Sequence, residues 1–254
     1  MLSILHQRTT CWVQSIKTTF GLLLGITVSV AGTPLAVEAA TPDMVGKTIV
    51  VDAGHGGRDS GAQGITGVQE KDVALGVAKD LEVLLRQNGA KVVMTRTVDD
   101  DLATREDRLS GRRQRADLTN RVQLAKSAGP DLFVSIHCNS IPSPAWRGAQ
   151  TLYMQGHQNS KQAAEIIQDS FRENLLPTGR SPAAVSSLFL LKHIHAPSVL
   201  TEIGFLSNPE EEQQLATKAY QEQVAFALYT GILGYFQVEP KGWKTYIAHI
   251  FHAM

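Results

Sequence analysis

The chain predicts an α/β fold: one three-layer domain with a central, mostly parallel sheet of about six strands and helices on both faces. Three observations carry this expectation. Short β-rich runs alternate with longer segments of helical period between residues 47 and 236. Gly and Pro signals punctuate the alternation at helix ends. Without its first 39 residues the chain keeps about 215, enough for one sizeable domain with a full core, or for two small ones.

The first run, 47–52 ("KTIVVD"), reads as a strand. Residues 71–87 form a helix whose apolar positions, Val73, Leu75, Val77, Ala78, Leu81, Leu84 and Leu85, recur at helical spacing, and Asn88-Gly89 stops it. Residues 91–95 ("KVVMT") make a second strand, and the polar, acidic stretch 96–111 reads as an exposed loop. A helix over 112–128 turns Leu118, Val122, Leu124 and Ala125 inward and ends at Gly129-Pro130. Residues 132–137 ("LFVSIH") form a third strand, and 149–154 a strand that is antiparallel or at an edge. A helix over 160–176 stops near Pro177. Residues 187–192 ("SLFLLK") and 198–203 ("SVLTEI") read as two further strands. Pro209 sits at a natural first helical position for 208–215. The last helix covers 220–236.

The N-terminus has a different character. Arg8 and Lys17 stand without an acid in residues 1–19, 20–31 is an uncharged and mostly apolar run, and small residues follow at Val37 and Ala39. That is the order of a secretory signal. The run is short of the roughly 20 residues of a spanning helix, and an uncleaved anchor is the alternative. The expected organisation is a signal peptide or N-terminal anchor over 1–39, a linker over 40–44, a catalytic domain over 45–237 and a tail over 238–254 without an assigned role.

The 24 basic residues balance the 24 acidic ones, so net charge implies no nucleic acid or other polyanion. A membrane is touched only through the N-terminal segment. Cys11 lies in the leader, which leaves Cys138 alone and no intrachain disulfide.

In open α/β sheets, ligands bind outside the carboxyl ends of the strands. His55 follows the first strand, His137 closes the third, Glu202 lies near the end of "SVLTEI", and Glu70 opens the first helix after a glycine-rich loop. Two imidazoles and two carboxylates can therefore meet at one edge. Two histidines and one carboxylate are a common catalytic zinc set with a position left for water, and a second carboxylate can take that water's proton. Gly54, Gly56 and Gly57 would let the backbone close tightly around such a centre.

Plainer readings exist for each residue. Glu70 can be an early-helix acid favoured by the dipole, and Glu202 can pair with Arg96 or Arg121. Rival sites are weaker. His193 and His195 abut a turn at Pro197. The loop "GHGGRDSG" has Asp59 where a dinucleotide fingerprint needs glycine, and it lacks the lysine of a P-loop. Cys138 neighbours His137 along a strand and so points to the opposite face.

The blocks "VVDAGHGGRDSGAQG" with Glu70, "SIHCNS" and "TEIGFLSNPEEEQQL" resemble those of the zinc-dependent N-acetylmuramoyl-L-alanine amidases, in order, over 45–236. "MTRTVDDDL" and "GILGYF" extend the resemblance and place it nearest the germination-specific, spore-cortex subgroup. The resemblance implies Zn2+ held by His55, Glu70 and His137, with Glu202 as the catalytic carboxylate. It implies a peptidoglycan substrate, glycan strands with peptide stems, cut between N-acetylmuramic acid and L-alanine. In the cortex subgroup this work is paired with a muramic-acid deacetylase to complete muramic-δ-lactam. It implies export to the cell wall, or to the forespore intermembrane space. Alternatives are a cell-wall amidase of vegetative growth or division, or a zinc peptidase acting on free peptides. By strand order Arg96 and Asn139 are placed to bind substrate, with Arg96 equally a structural ion-pair partner. Arg58 and Asp59 either touch substrate or shape the loop.

Overall fold

The computed structural model describes residues 44–175 and 178–237. The expected signal peptide or anchor, linker residues 40–43, the helix stop at Pro177 and the tail 238–254 lie outside the described residues. Met44 is fully buried in the core, and its N–H donates to the Asn88 carbonyl at 3.0 Å.

The chain runs β1 (Thr48–Ala53), α1 (Glu70–Gln87), β2 (Lys91–Met94), α2 (Arg105–Leu109), α3 (Arg113–Ala128), β3 (Leu132–Asn139) and β4 (Gln150–Met154). It continues through α4 (Gln158–Asn174), β5 (Ala183–Val185), α5 (Phe189–His193), β6 (Ser198–Phe205), α6 (Pro209–Leu215) and α7 (Lys218–Tyr235). One sheet has the order β2-β1-β3-β6-β4-β5. β2, β1, β3 and β6 are mutually parallel, β4 runs antiparallel to β6, and β5 runs parallel to β4.

Alternation along β1 divides the core. Ile49, Val51 and Ala53 pack under α1, α4 and α7, while Val50 joins Phe133 and Leu200 beneath α3 and α5. Each large apolar side chain buried in this way stabilises the fold by about 1.5–3 kcal/mol. The helical period predicted for α1 is met: Val73, Val77, Leu81, Leu84 and Leu85 are buried on one side. Local chemistry sets the ends. Gly129 closes α3 in the left-handed region (φ 59°), and the Asn208 side chain accepts from the Glu210 and Glu211 N–H groups to start α6 behind Pro209.

Two expectations need correction. Residues 187–192 are not a strand. Phe189–His193 is a short helix, with Leu190 and Leu191 turned into the second core layer. A short apolar run carries no periodicity that separates a buried strand from a buried helix. The sixth strand is instead Ala183–Val185, a three-residue edge that follows Pro182. The stretch 96–111 is not wholly loop either: Thr104 and Asp107 form a reciprocal capping box that opens α2. β4 is antiparallel as expected, and β5 lies outside it.

Candidate metal centre

The carboxyl ends of β1, β3 and β6 are brought level by pairing. Ala53 sits opposite Ile136, which sets Gly54 and His55 beside His137, and His137 in turn sits opposite Glu202. Registered neighbours in a parallel sheet share a face, so the Glu202 side chain stands on the same side as His137. Glu70 enters from across the loop as the first residue of α1.

These residues converge. Glu70 Oε1 lies 2.9 Å from His137 Nδ1 and 3.0 Å from His55 Nε2. The two ring nitrogens are 3.2 Å apart. Two donor nitrogens and a carboxylate oxygen aimed at one point suit a cation. Ligands about 2.0–2.2 Å from a tetrahedral zinc stand about 3.3 Å from each other, close to the separations here. Among the described residues this is the one group of three such ligands so close together.

The surroundings fix these side chains. Glu70 Oε1 also accepts from Cys138 N–H (2.9 Å), and its Oε2 accepts from Ala62 N–H (2.8 Å). Burial opposes ionisation of Glu70, but hydrogen bonds from His137 and His55 hold its carboxyl well below the usual range. His55 Nδ1 lies 3.1 Å from Asp59 Oδ2. Burial works against a charge on His55, and the Glu70 and Asp59 carboxylates outweigh it and raise its pKa. A carboxylate on the far nitrogen selects the tautomer that leaves Nε2 free for a metal.

The glycines make room for these side chains. A Cβ on Gly54 would stand 2.5 Å from His137 Cε1, and one on Gly61, at φ 65°, would stand 2.5 Å from Glu70 Oε2 and 2.7 Å from His55 Cδ2. His55 itself holds φ 60°, uncommon for a residue with a side chain.

Two buried guanidiniums hold the loop in that shape. Arg121 donates to Asp52 Oδ1 (2.8 Å), to the Ala53 carbonyl (2.7 Å), to Asp117 and to the His55 carbonyl. Arg96 donates to the carbonyls of Ala53 (3.0 Å), Gly54 (2.7 Å), Lys71 (2.7 Å) and Val98 (3.2 Å). Arg96 is thus buried against backbone carbonyls, and no carboxylate among the described residues forms an ion pair with it. Asn139 closes β3 at a register shift against β6, and its carbonyl accepts from Leu206 N–H at 2.9 Å.

Neither arginine pairs with Glu202. Its Oε2 is buried and has no hydrogen-bond partner among the described residues. Burial raises its pKa and Glu70 adds to this, against the pull of His137, His55 and Arg180. A carboxylate so placed takes up a proton readily. Cys138 is buried with its thiol pKa pushed well above normal, first by burial and then by Glu70, Glu202 and Glu211, so it stays a thiol.

Sequence reasoning left Asp59 undecided between substrate and loop, and the structure puts it on His55. A carboxylate four residues beyond a histidine in a tight loop was the available signal. The structure also brings Arg180 to the Glu202 side, through contacts that no local pattern announces. His193 is half-buried, with Nδ1 at the Phe189 carbonyl (2.8 Å), and does not join this group.

Known proteins resemble this chain in sequence and in fold. The family described as N-acetylmuramoyl-L-alanine amidase matches residues 49–234. The germination-specific N-acetylmuramoyl-L-alanine amidase of Bacillus subtilis is 42% identical over 191 residues, 75% of this chain and 80% of the relative. The B. subtilis amidase LytC is 34% identical over 218 residues, 85% of this chain but 40% of its own length. Among solved structures, the CwlD amidase of Clostridioides difficile in complex with the GerS lipoprotein superposes with a TM-score of 0.73 at 36% identity, covering 76% of this chain and all of that one.

Proposed function

Because this chain belongs to the N-acetylmuramoyl-L-alanine amidase family, we propose that its catalytic domain, over 45–237, releases peptide stems from peptidoglycan by way of a zinc centre on His55, Glu70 and His137. The bond cut is the amide between the lactyl carbonyl of N-acetylmuramic acid and the amine of L-alanine. The observation that carries the reading is the convergence of His55, Glu70 and His137 beside Glu202, which is in register with His137 and whose buried Oε2 has no hydrogen-bond partner among the described residues.

Zinc bound there supplies a Lewis acid and lowers the pKa of water toward about 7. Glu202 accepts the water proton and passes it to the departing amine of L-alanine. Its raised pKa suits both halves of that transfer. Glu70 remains ionised as a ligand, and Asp59 keeps the His55 ring turned toward the centre. Asn139, at the end of β3, stays a candidate for substrate contact.

The likeness to the germination-specific amidase supports a role in spore cortex maturation, upstream of a deacetylase that completes muramic-δ-lactam. The solved relative in complex with a lipoprotein supports a protein partner for this chain as well. Peptidoglycan lies outside the cytoplasm, and the leader over 1–39 would deliver the domain there. No helix among the described residues is long and apolar enough to cross a membrane.

The test is metal analysis with mass spectrometry of digested peptidoglycan. Wild type should contain zinc and free intact stems. Glu202→Ala should keep zinc and release none, and His55→Ala should lose both. Cleavage of free peptides with stems left on the glycan would replace this reading with a peptidase. Stem release by Glu202→Ala would remove that residue from the mechanism.

A further inference from the structure

Beside Glu202 stands a cation with no anion. The Arg180 guanidinium carbon lies 4.6 Å from the Phe205 ring centroid and 5.0 Å from that of Trp146. Nε donates to the Arg147 carbonyl (3.1 Å) and Nη1 to Gln150 Oε1 (2.8 Å). These contacts hold a long side chain in one place before any ligand arrives. Among the described residues no carboxylate forms an ion pair with Arg180, and Nη2 makes no hydrogen bond. Trp146 is 53% exposed, so this side of the group is open to solvent.

The position of Arg180 limits what it can meet. Gln150 on β4 sits opposite Glu202 on β6, and such partners have Cα atoms about 4.5–5.5 Å apart. A guanidinium bonded to the Gln150 side chain therefore stands on the Glu202 side of β4, within a short distance of the bond to be cut. The glycan brings no charge to that distance: its sugars are N-acetylated, and the muramoyl carboxyl is consumed in the scissile amide. The peptide stem does carry free carboxylates.

We infer that Arg180 receives a carboxylate of the peptide stem, that of the residue following L-alanine, through Nη2, and so sets which stems are cut. The aromatic rings and Gln150 orient the planar fork, and a planar fork matches a carboxylate where a lysine ammonium does not. The inference rests on the amidase reading of the centre. Arg180 contributes specificity, and the chemistry belongs to Glu202 and the metal ligands. The influence of Arg180 on Glu202 supplies a rival role that the experiment separates.

The experiment compares zinc-loaded full-length protein on two peptidoglycans, one with a free α-carboxylate on the second stem residue and one with the carboxamide. Wild type should favour the free acid by about 10- to 100-fold in kcat/KM, the range of one charge-assisted hydrogen bond. Arg180→Gln should raise KM for the acid until the preference is gone, and Arg180→Lys should restore only part of it. Equal rates of wild type on both substrates would overturn the inference without any variant, so a poorly folding variant does not shield it. Arg180→Gln that keeps the preference would overturn it too. So would an acid limb of kcat that moves equally on both substrates, since Arg180 would then serve Glu202 alone. Absence of stem release from either peptidoglycan by wild type would instead remove the amidase reading, and this inference with it.

Discussion

Gly54→Ala is the sharpest probe of the centre, because the added atom points at the His137 ring. Gly54 does not hold a positive φ, so alanine brings no backbone strain there. Its Cβ would stand 2.5 Å from His137 Cε1, 2.7 Å from Nδ1 and 2.8 Å from Nε2. Ordinary carbon contacts begin near about 3.5 Å, so the ring must give way by about 1 Å. Turning it about 30° off its rotamer costs about 0.5–1.5 kcal/mol. In a domain of this size a loss of about 1 kcal/mol lowers Tm by about 2–4 °C, and the fold survives. The metal should suffer more, since a misaimed ligand lowers affinity by about 10- to 100-fold. Gly156→Ala is the control. It sits at φ 85° with nothing within 4 Å of its added Cβ, so it should cost about 1–2 kcal/mol of backbone strain and leave zinc affinity unchanged. Zinc titration against a fluorescent chelator reads the affinity, and thermal melts of chelated protein read the stability. Gly54→Ala that binds zinc at wild-type affinity would refute the steric reasoning and the placement of His137 in the centre.

Asp59→Asn removes the carboxylate on His55 Nδ1 and should lower zinc affinity about 10- to 100-fold while the chelated protein melts almost unchanged; unchanged affinity in the same titration would leave Asp59 only a loop-shaping role. Arg121→Leu strands Asp52 and Asp117 in the core and should cost about 3–5 kcal/mol in urea unfolding, and a cost below about 1 kcal/mol would show that these carboxylates find other partners. The raised pKa of Glu202 means that the folded chain binds its proton more tightly than the unfolded chain. Its contribution to stability is therefore full below the ordinary carboxylate range and is lost as pH rises through the raised value. In chelated protein the wild type should gain on Glu202→Gln as pH falls through the raised value toward the ordinary carboxylate range; a difference that stays constant in melts across that interval would contradict the raised value.

The sequence was most legible where pattern and geometry coincide. Parallel strands end together, so a rule about strand ends was enough to gather His55, His137 and Glu202 without coordinates. The period of α1 is strict because one face meets a flat sheet, and Leu81 and Leu85 appear where the spacing puts them. Legibility failed where tertiary contact overrides local preference. "SLFLLK" has the composition of a strand and becomes a helix because Leu190 and Leu191 fill a gap against α3. Ala183–Val185 has no strand signal of its own and pairs because β4 offers an edge. Arg96 looked available to substrate by strand order, and only the packed loop shows four carbonyls around it. Arg180 meets Gln150 across 30 residues of chain, a distance that local spacing does not encode.

The pair of arginines beneath the loop bears on protein engineering. Three successive carbonyls, those of Ala53, Gly54 and His55, are held by side chains that arrive 42 residues later, from Arg96 to Gly54, and 66 residues later, from Arg121 to His55. The segment "GHGGRDSG" therefore does not own its shape. Grafted onto another strand end, it would keep its letters and lose the left-handed turn that aims His55. A transplant has to carry both arginines, with Asp52 and Asp117 to neutralise one of them. Seen in this way, the portable module is not a metal-binding loop but the strand-end floor on which the loop is cast.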